Sequence, residues 1–229
     1  MEKQNMSEDL VSFIKLQIIE GQLNPGDRII ETKLAKELGI SQTPVREAIR
    51  HLSGEGIIVI VPNKGPMVRT LDRKDVFEIY SLRSVLEGLA IRLATQRASD
   101  EAIHRIKDLY DKMKAKLTDE SVSTLLQDSL QIHQSIIYLS EHTRLIRSYE
   151  SISFQIALVN RILGKESTKQ KEVDQHLELV EALMKRDPEY AESVMKKHIY
   201  RSYTEFSELS ESDHRDMERH LWFNDDFTR

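Results

Sequence analysis

Two histidines lie at matching distances from a predicted turn between helices. His176 is eleven residues before Asp187, and His198 is ten residues after Pro188. Asp caps helices and Pro favours the first helical position, so this dipeptide predicts two consecutive helices. At about 1.5 Å per residue both histidines lie roughly 15–17 Å from the turn, level with each other in an antiparallel pair. Neutral imidazoles bind divalent metals such as Zn, Ni, Mn and Fe, and the alternative is buried, hydrogen-bonded histidines without a metal.

A second group of side chains opens a predicted helix in the sequence SQTPVREAIRHL. Gln42 or Thr43 is predicted to cap this helix, where backbone N–H groups and the positive end of the helix dipole favour phosphate. Arg46 is long enough to form a forked contact with guanine or to bind phosphate, and the Ser41 and Thr43 hydroxyls can reach phosphate or a base edge. The stretch predicts a helix N-terminus that enters the major groove of DNA. The alternative for Arg46 is an ordinary solvated helix charge.

The elements around this stretch predict a winged helix-turn-helix in the first seventy residues. Three helical patterns and two short extended runs follow one another, at residues 7–21, 31–38, 42–55, 57–61 and 67–70. The turn between the two runs contains Lys64 and Gly65, and glycine permits a tight wing tip close to a DNA backbone. Arg50, one turn after Arg46, is a weaker candidate for a DNA contact. The alternative is a small helical domain whose third helix is merely amphipathic.

Only helices are predicted after residue 70. Their patterns cover residues 72–97, 99–116, 119–139, 142–163, 168–186 and 188–210. We therefore expect a mainly α protein, with a winged helix-turn-helix over residues 1–70 and an all-helical antiparallel bundle over residues 71–229. The C-terminal segment, residues 212–229, is polar apart from one aromatic cluster, and its pattern fits a frayed helix and a docked end equally well.

The composition restricts the class of protein. The 229 residues include no Cys, which excludes disulfides and thiolate metal sites, and they contain no apolar run of the length that spans a bilayer. We therefore expect a cytoplasmic protein. The net charge is −5, but the first seventy residues carry nine basic and nine acidic side chains. This balance argues against an architectural protein that binds any DNA through extensive phosphate neutralisation.

The N-terminal region contains a dense set of matches to one known pattern. They are Gly21-x-Leu23-x-Pro25-Gly26, Leu34-Ala35-x-x-Leu38-Gly39-Ile40-Ser41-x-Thr43-Pro44-Val45-Arg46-Glu47-Ala48-Ile49 and Leu52-x-x-Glu55-Gly56. This pattern resembles the GntR family of bacterial transcription regulators. The resemblance implies that the segment from Ser41 to Glu47 opens a recognition helix and that the wing glycine, Gly65, approaches the minor groove. Gln42 stands where the family often has Arg, which implies a different contact to DNA and a different preferred operator.

The bundle begins with a second recognisable pattern. It reads Ile79-Tyr80-x-Leu82-Arg83-x-x-Leu86-Glu87-x-x-Ala90. It looks like the FCD effector domain of the FadR-type subfamily, and the number of helices is closer to the VanR-like branch. Such domains bind small carboxylates, often through a metal held by one Asp and three His. The resemblance implies that His133 is the third histidine ligand and that Arg83 contacts an effector carboxylate; the alternative for Arg83 is an ion pair with Glu87.

The carboxylate ligand is where the sequence departs from the FCD pattern. The family has Asp four residues before the first histidine, and Ser129 occupies that position here. Asp128 lies five residues before His133, about 140° around an ideal helix, and so points elsewhere unless the helix deforms. Three possibilities follow. The site has three histidines completed by water or an effector, it uses Asp128 through a bulge, or it binds metal weakly.

These observations predict a metabolite-responsive transcription regulator rather than an enzyme. The GntR resemblance implies a homodimer that binds a palindromic double-stranded operator. Its partners would be that DNA and a small organic acid, with a divalent metal, Zn, Ni or Mn, as cofactor. The alternative is a metal-dependent hydrolase in which the histidines activate water.

Overall fold

A computed structural model describes residues 2–118, 122–163 and 169–209 of the chain. It divides into two compact units, Met1–Asp72 and Arg73–Arg229, which are considered separately below. None of the described helices combines the length and the apolar character needed to cross a membrane. The predicted fold class is confirmed: helices dominate, and one small two-stranded sheet follows the first three of them.

The first unit contains three helices and a hairpin. In chain order these are α1 (Glu2–Ile19), α2 (Glu31–Glu37), α3 (Gln42–Gly54), β1 (Ile58–Val61) and β2 (Gly65–Val68). Helix α1 begins five residues earlier than predicted, because Glu, Lys and Gln in its first turn are good helix formers. The core forms where α1 packs against α3, through fully buried side chains such as Ile14, Ile18, Val45 and Leu52.

The start of α3 differs from the prediction by one residue. Ser41, not Gln42 or Thr43, is the N-cap, with an extended backbone at φ −74° and ψ 162° and no capping bond from its side chain. Val45, Ala48 and Ile49 are buried, whereas Gln42 and Thr43 are exposed. The buried face therefore fixes α3 against the core and leaves its N-terminal polar residues in solvent.

The hairpin is tighter than predicted and has an additional neighbour. Strand β2 begins at Gly65, not residue 67, and pairs antiparallel with β1 from Ile58↔Val68 to Val61↔Gly65. Asn63 adopts φ +62° in the turn, a conformation that Asn tolerates. The segment before α2 also pairs with β2 through an Arg28↔Met67 bridge. Sequence periodicity could not show this contact, because it joins residues far apart in the chain.

The second unit is an all-helical bundle. Its helices in chain order are α4 (Arg73–Arg97), α5 (Asp100–Ala115), α6 (Val122–Leu139), α7 (Thr143–Leu163), α8 (Lys169–Met184) and α9 (Pro188–Leu209). A short 3-10 turn, Lys116–Thr118, follows α5. As predicted, α8 and α9 are joined by a short turn at Asp187, whose carboxylate accepts a hydrogen bond from the Tyr190 N–H. The predictions for residues 119–121 and 212–229 lie outside the described residues.

Helix α4 lies at the centre of the bundle. It packs most extensively against α9 and also against α6 and α7. The α4–α9 approach is close at Gly88, where an added Cβ would meet the Lys196 side chain at 3.1 Å. The buried face of α4 carries Arg83 and Glu87 into the bundle interior, where they lie beside the histidine on α6. The fold therefore positions charged groups of α4 against the predicted metal ligands.

Candidate nucleic-acid interface and metal centre

The exposed N-terminal turn of α3 carries a small hydrogen-bonded network around Arg46. Its Nε donates to Oε2 of Glu31 on α2 at 2.7 Å, and its Nη2 donates to Oε1 of Gln42 at 3.1 Å. The N-cap Ser41 and the α3 residues Thr43 and Arg50, which were also predicted to contact DNA, are all exposed. Glu31 therefore holds an exposed guanidinium at the end of α3, where the helix dipole favours anions. Sequence reasoning did not find Glu31, because the partner lies on a different helix.

The wing tip places a cation beside a glycine. Lys64 is exposed, and Gly65 adopts φ +82°, a conformation that side chains rarely permit. A Cβ at Gly65 would lie 3.8 Å from the guanidinium of Arg28. Arg28 is thus a candidate DNA-contacting residue that the sequence did not indicate, since backbone pairing of its segment with β2 brings it to the wing.

The three predicted metal ligands lie together inside the bundle. His133 from α6, His176 from α8 and His198 from α9 each offer a ring nitrogen within 4.8 Å of the others. All three side chains are at most 2% exposed. The ring centroids are 4.8 to 5.2 Å apart, and two of the ring pairs are nearly perpendicular. The pairing of His176 with His198 across the α8–α9 turn agrees with their matching distances from it.

Hydrogen bonds at the outer nitrogens orient two of these rings. His133 Nδ1 donates to Oε2 of Glu87, and His176 Nδ1 donates to the Glu172 carbonyl at 2.7 Å. Each bond fixes the tautomer in which Nε2 carries a lone pair directed at the other histidines. His133 Nε2 lies 3.1 Å from His198 Nε2. His198 Nδ1 is buried and lacks a partner among the described residues.

Burial keeps the imidazoles neutral. Desolvation lowers the pKa of His133, although Glu87 opposes the change, and it lowers the pKa of His176 to about 3, with His133 adding to the effect. The pKa of His198 falls well below its usual value for the same reason. Neutral imidazoles are the form that binds metals, so the donor set fits a divalent cation such as Zn²⁺.

Ser129, which stands where the FCD pattern has an Asp ligand, places a hydroxyl at the three histidines. Ser129 Oγ donates to His176 Nε2 at 2.8 Å, so it lies directly beside a ligand nitrogen. Asp128, the alternative fourth ligand, instead pairs with Lys116, whose Nζ lies 2.9 Å from Oδ1. The structure does not support the alternative in which Asp128 reaches the site through a bulge, because α6 is a continuous α-helix that turns this side chain toward the end of α5.

A buried charge network lies behind His133. Arg83 Nε donates to Glu87 Oε1 at 2.5 Å, and the pair is at most 2% exposed. Burial alone would raise the pKa of Glu87, but Arg83 and His133 outweigh it and hold that pKa at about 2. The ion pair weighed for Arg83 is therefore present, and Arg83 also lines a cavity at the histidines.

This cavity is small and mostly polar. The cavity has a volume of about 20 Å³. It lies between the three histidines, Arg83, Ser129 and Asn160. Asn160 accepts a hydrogen bond from the buried Tyr80 hydroxyl at 3.0 Å. One water molecule needs roughly 10–15 Å³ of such a volume, so the cavity can hold one or two water molecules. Sequence reasoning missed Asn160, because its helix, α7, gave no signal of which side faces the histidines.

Two family patterns match separate parts of the chain. Residues 6–68 match the bacterial regulatory proteins of the gntR family, and residues 78–201, more than half of the chain, match the FCD domain. The chain belongs to the GntR family. It is a transcriptional regulator of that family with an FCD domain.

Two curated relatives align with this GntR regulator over more than four fifths of each chain. It is 30% identical over 187 residues to the probable D-xylose utilization operon transcriptional repressor of Paenarthrobacter nicotinovorans, covering 82% of each chain. It is 31% identical over 185 residues to the Nta operon transcriptional regulator of Aminobacter aminovorans, covering 81% of this chain and 87% of that one. The solved structure of E. coli McbR/YncC has the same fold, with a TM-score of 0.78 and 20% identity over 90% of this chain and 99% of that one.

These similarities decide between the two functional classes. The family and the relatives are DNA-binding transcriptional regulators, so the GntR regulator is not an enzyme and the hydrolase alternative is not supported. The histidine cluster lies within the residues that match the FCD domain. The DNA-contacting, metal-binding and effector-binding roles of individual residues stay predictions.

Proposed function

We propose that this GntR regulator is a homodimer that binds a palindromic operator and changes its affinity for DNA when a small carboxylate enters a metal site. The observation that carries the proposal is the convergence of three buried, neutral histidines inside the FCD domain. The Nδ1 hydrogen bonds to Glu87 and to the Glu172 carbonyl direct Nε2 of His133 and of His176 toward a common centre, and this arrangement favours a metal site. As a regulator of bacterial genes, the protein would act in the cytoplasm.

An apolar stripe on α4 supports the homodimer. Leu82, Val85 and Leu89 are 43%, 61% and 39% exposed. They continue a heptad-like 3–4 spacing that includes Ile79, Leu86 and Leu93, which are half-buried. This spacing forms a seam that pairs with a second helix, and a two-fold axis would supply the same helix from another copy. We call the six residues the α4 seam.

The DNA contacts are proposed for the end of α3 and for the wing. Arg46 would exchange Glu31 and Gln42 for a guanine edge or a phosphate, and Ser41, Thr43 and Arg50 would contact the backbone or bases nearby. Lys64, Gly65 and Arg28 would approach the adjacent groove. A dimer would present two such surfaces to two half-sites about one helical turn apart.

Operator selection tests the DNA-binding part of the proposal. Selection from random duplexes should yield a two-fold symmetric sequence, and Arg46→Ala should weaken binding to it by at least about tenfold, since a good bidentate base contact is worth about 1–3 kcal/mol. Arg105→Ala removes the same charge from an exposed site on α5 and serves as the control. The role of Arg46 would be refuted if both variants bound the operator equally well.

The metal and the effector are proposed to share the cavity at the histidines. The three imidazoles would hold a cation that polarises and orients a carboxylate, and Arg83 would contribute a positive charge at the cavity wall. A carboxylate can change DNA affinity only if it binds one arrangement of the dimer better, typically by about 1–3 kcal/mol.

Metal analysis of paired variants tests this second part. His176→Ala should lose bound Zn²⁺ after dialysis, because two histidines hold a metal poorly, and should keep its affinity for operator DNA in metal-free buffer. His104→Ala, which removes an exposed histidine from α5, should retain the wild-type metal content. Equal metal content in the two variants would show that the cation binds elsewhere.

A further inference from the structure

The donor set of the candidate metal centre has no negative charge. It consists of three neutral imidazoles and the Ser129 hydroxyl, whose oxygen is 2.8 Å from His176 Nε2. Among residues 2–118, 122–163 and 169–209, no carboxylate oxygen joins the cluster of ligand atoms. Glu87 is close, but it is bound to the outer nitrogen of the His133 ring and so faces away from the common centre.

The surrounding charges largely cancel one another. Glu87 is paired with Arg83, and Glu205 at the cavity wall is paired with Lys171, whose Nζ lies 2.8 Å away. Glu172 is the other acidic residue that lines the cavity. The single charge of Glu172 offsets at most half of the charge of a divalent cation, so a net positive charge would remain at the histidines. Uncompensated charge in the protein interior is costly.

We propose that the three histidines hold a divalent cation only weakly by themselves and bind it together with a small anion, which supplies the charge and the oxygen donor that Ser129 does not. This inference rests on the proposed metal centre. The anion is of the carboxylate class, since one carboxylate oxygen can occupy the fourth position of a tetrahedral three-histidine site.

The size of the cavity limits the anion. About 20 Å³ accommodates a cation and little more than one donor atom. The head group that reaches the metal must consequently be compact, and Ser129 must give up its hydrogen bond to His176 as the cation takes that lone pair.

Mutual dependence of the two ligands follows from this charge balance. If the anion raises the affinity for the cation by a given factor, the cation raises the affinity for the anion by the same factor. The FCD domain would then respond to metal and organic acid together, and poorly to either one alone.

Competition with a chromogenic Zn²⁺ chelator tests the inference on the full-length protein. At matched ionic strength, sodium acetate should tighten Zn²⁺ binding by the wild-type protein by about tenfold, within the usual range for coupled ligands. Ser129→Asp supplies an internal carboxylate, so it should bind Zn²⁺ about tenfold tighter without acetate and gain less than about twofold from it. Ser129→Ala adds no charge and should keep the full effect of acetate.

Thermal unfolding of the wild-type protein provides a measurement that does not depend on the variants folding. Zn²⁺ and acetate together should raise the unfolding temperature by more than the sum of their separate effects. Tight Zn²⁺ binding that is indifferent to acetate, or loss of the acetate effect in Ser129→Ala, would overturn the inference and leave the metal centre standing. Absence of Zn²⁺ binding in every buffer would overturn the metal centre and the inference with it.

Discussion

Glu87 connects the charge network of α4 to the histidine cluster. Its two oxygens accept from Arg83 Nε and His133 Nδ1, and it is fully buried. Neither group could remain in the interior without it, because Arg83 would be an uncompensated buried cation and His133 would lose the bond that fixes its tautomer. A single carboxylate thus serves both the stability of the bundle and the orientation of His133, a proposed metal ligand.

Glu87→Gln should therefore be strongly destabilising. We expect the free energy of unfolding to fall by about 3–5 kcal/mol, the usual effect of removing one partner from a buried ion pair. Urea denaturation followed by circular dichroism measures this change. Glu189→Gln, which alters an exposed partner of Arg92, is the matched control and should leave the unfolding midpoint nearly unchanged. Similar midpoints for the two variants would contradict the role of Glu87.

At the residue scale, the sequence identified the candidate site residues better than their hydrogen-bond partners. His176 and His198 could be paired from their distances to one turn, whereas the link from His133 to Glu87 depends on how α6 packs against α4. The same limit applies to Arg46, whose exposure was predictable but whose bond to Glu31 was not. Side-chain partners on different helices depend on tertiary packing, which periodicity within one helix does not contain.

Helix α4 has two working faces. The buried face carries Arg83 and Glu87 to the cavity, and the exposed face carries the α4 seam. In the proposed dimer the seam would be covered by a second copy, so the helix that lines the effector site would also form the contact between subunits. A shift of α4 on ligand binding would then be transmitted directly to the partner.

Leu89→Glu should separate the proposed dimer. A carboxylate in the middle of an apolar seam occurs twice across a two-fold axis, so we expect the dimer dissociation constant to rise at least about a hundredfold, or about 3 kcal/mol. Sedimentation velocity measures it. Met184→Glu introduces the same charge at an apolar residue outside the seam that is 48% exposed, against 39% for Leu89, and should leave the assembly unchanged. Dimers of Leu89→Glu with wild-type stability would place the interface on another face.

At the element scale, the last three helices of the bundle were predicted accurately, whereas the starts of α1 and β2 were not. The bounds of α7, α8 and α9 lie within two residues of those predicted, because strong periodicity and the Asp187-Pro188 turn define them. The start of β2 was missed by two residues, because Gly65 and Pro66 are turn residues by composition and enter the strand only through pairing with β1. Register between strands is a tertiary property.

The whole molecule should be sensitive to acid through its buried histidines. In the metal-free protein the pKa of His176 is about 3 and those of His133 and His198 are also lowered, whereas unfolded histidine titrates near 6.5. Between these values the unfolded chain binds more protons, so the free energy of unfolding falls as the pH drops below about 6.5. Glu87 contributes to acid unfolding only below about pH 4.5, since its pKa is lowered in the folded state.

Unfolding temperatures measured between pH 7 and pH 5 in the presence of a chelator test this expectation. We expect the unfolding temperature to decrease steadily as the pH is lowered. The corresponding free energy of unfolding should fall by up to about 1.4 kcal/mol per pH unit for each buried histidine. His176→Gln should reduce the slope, and His104→Gln, at an exposed site, should not. A flat profile for the wild-type protein would mean that the histidines take up protons without unfolding the bundle.

The two faces of α4 limit how its sequence can change during evolution. Ten of its twenty-five residues are buried and the seam occupies much of the remainder, so few positions on it are free to drift. If the proposed dimer and effector site are correct, related regulators that adapt to a new metabolite would have to change side chains on α6, α7 or α9 instead. A substitution there would alter the cavity without disturbing the proposed subunit contact. Among regulators with different effectors, the sequences of those three helices should therefore vary, while the sequence of α4 should vary less.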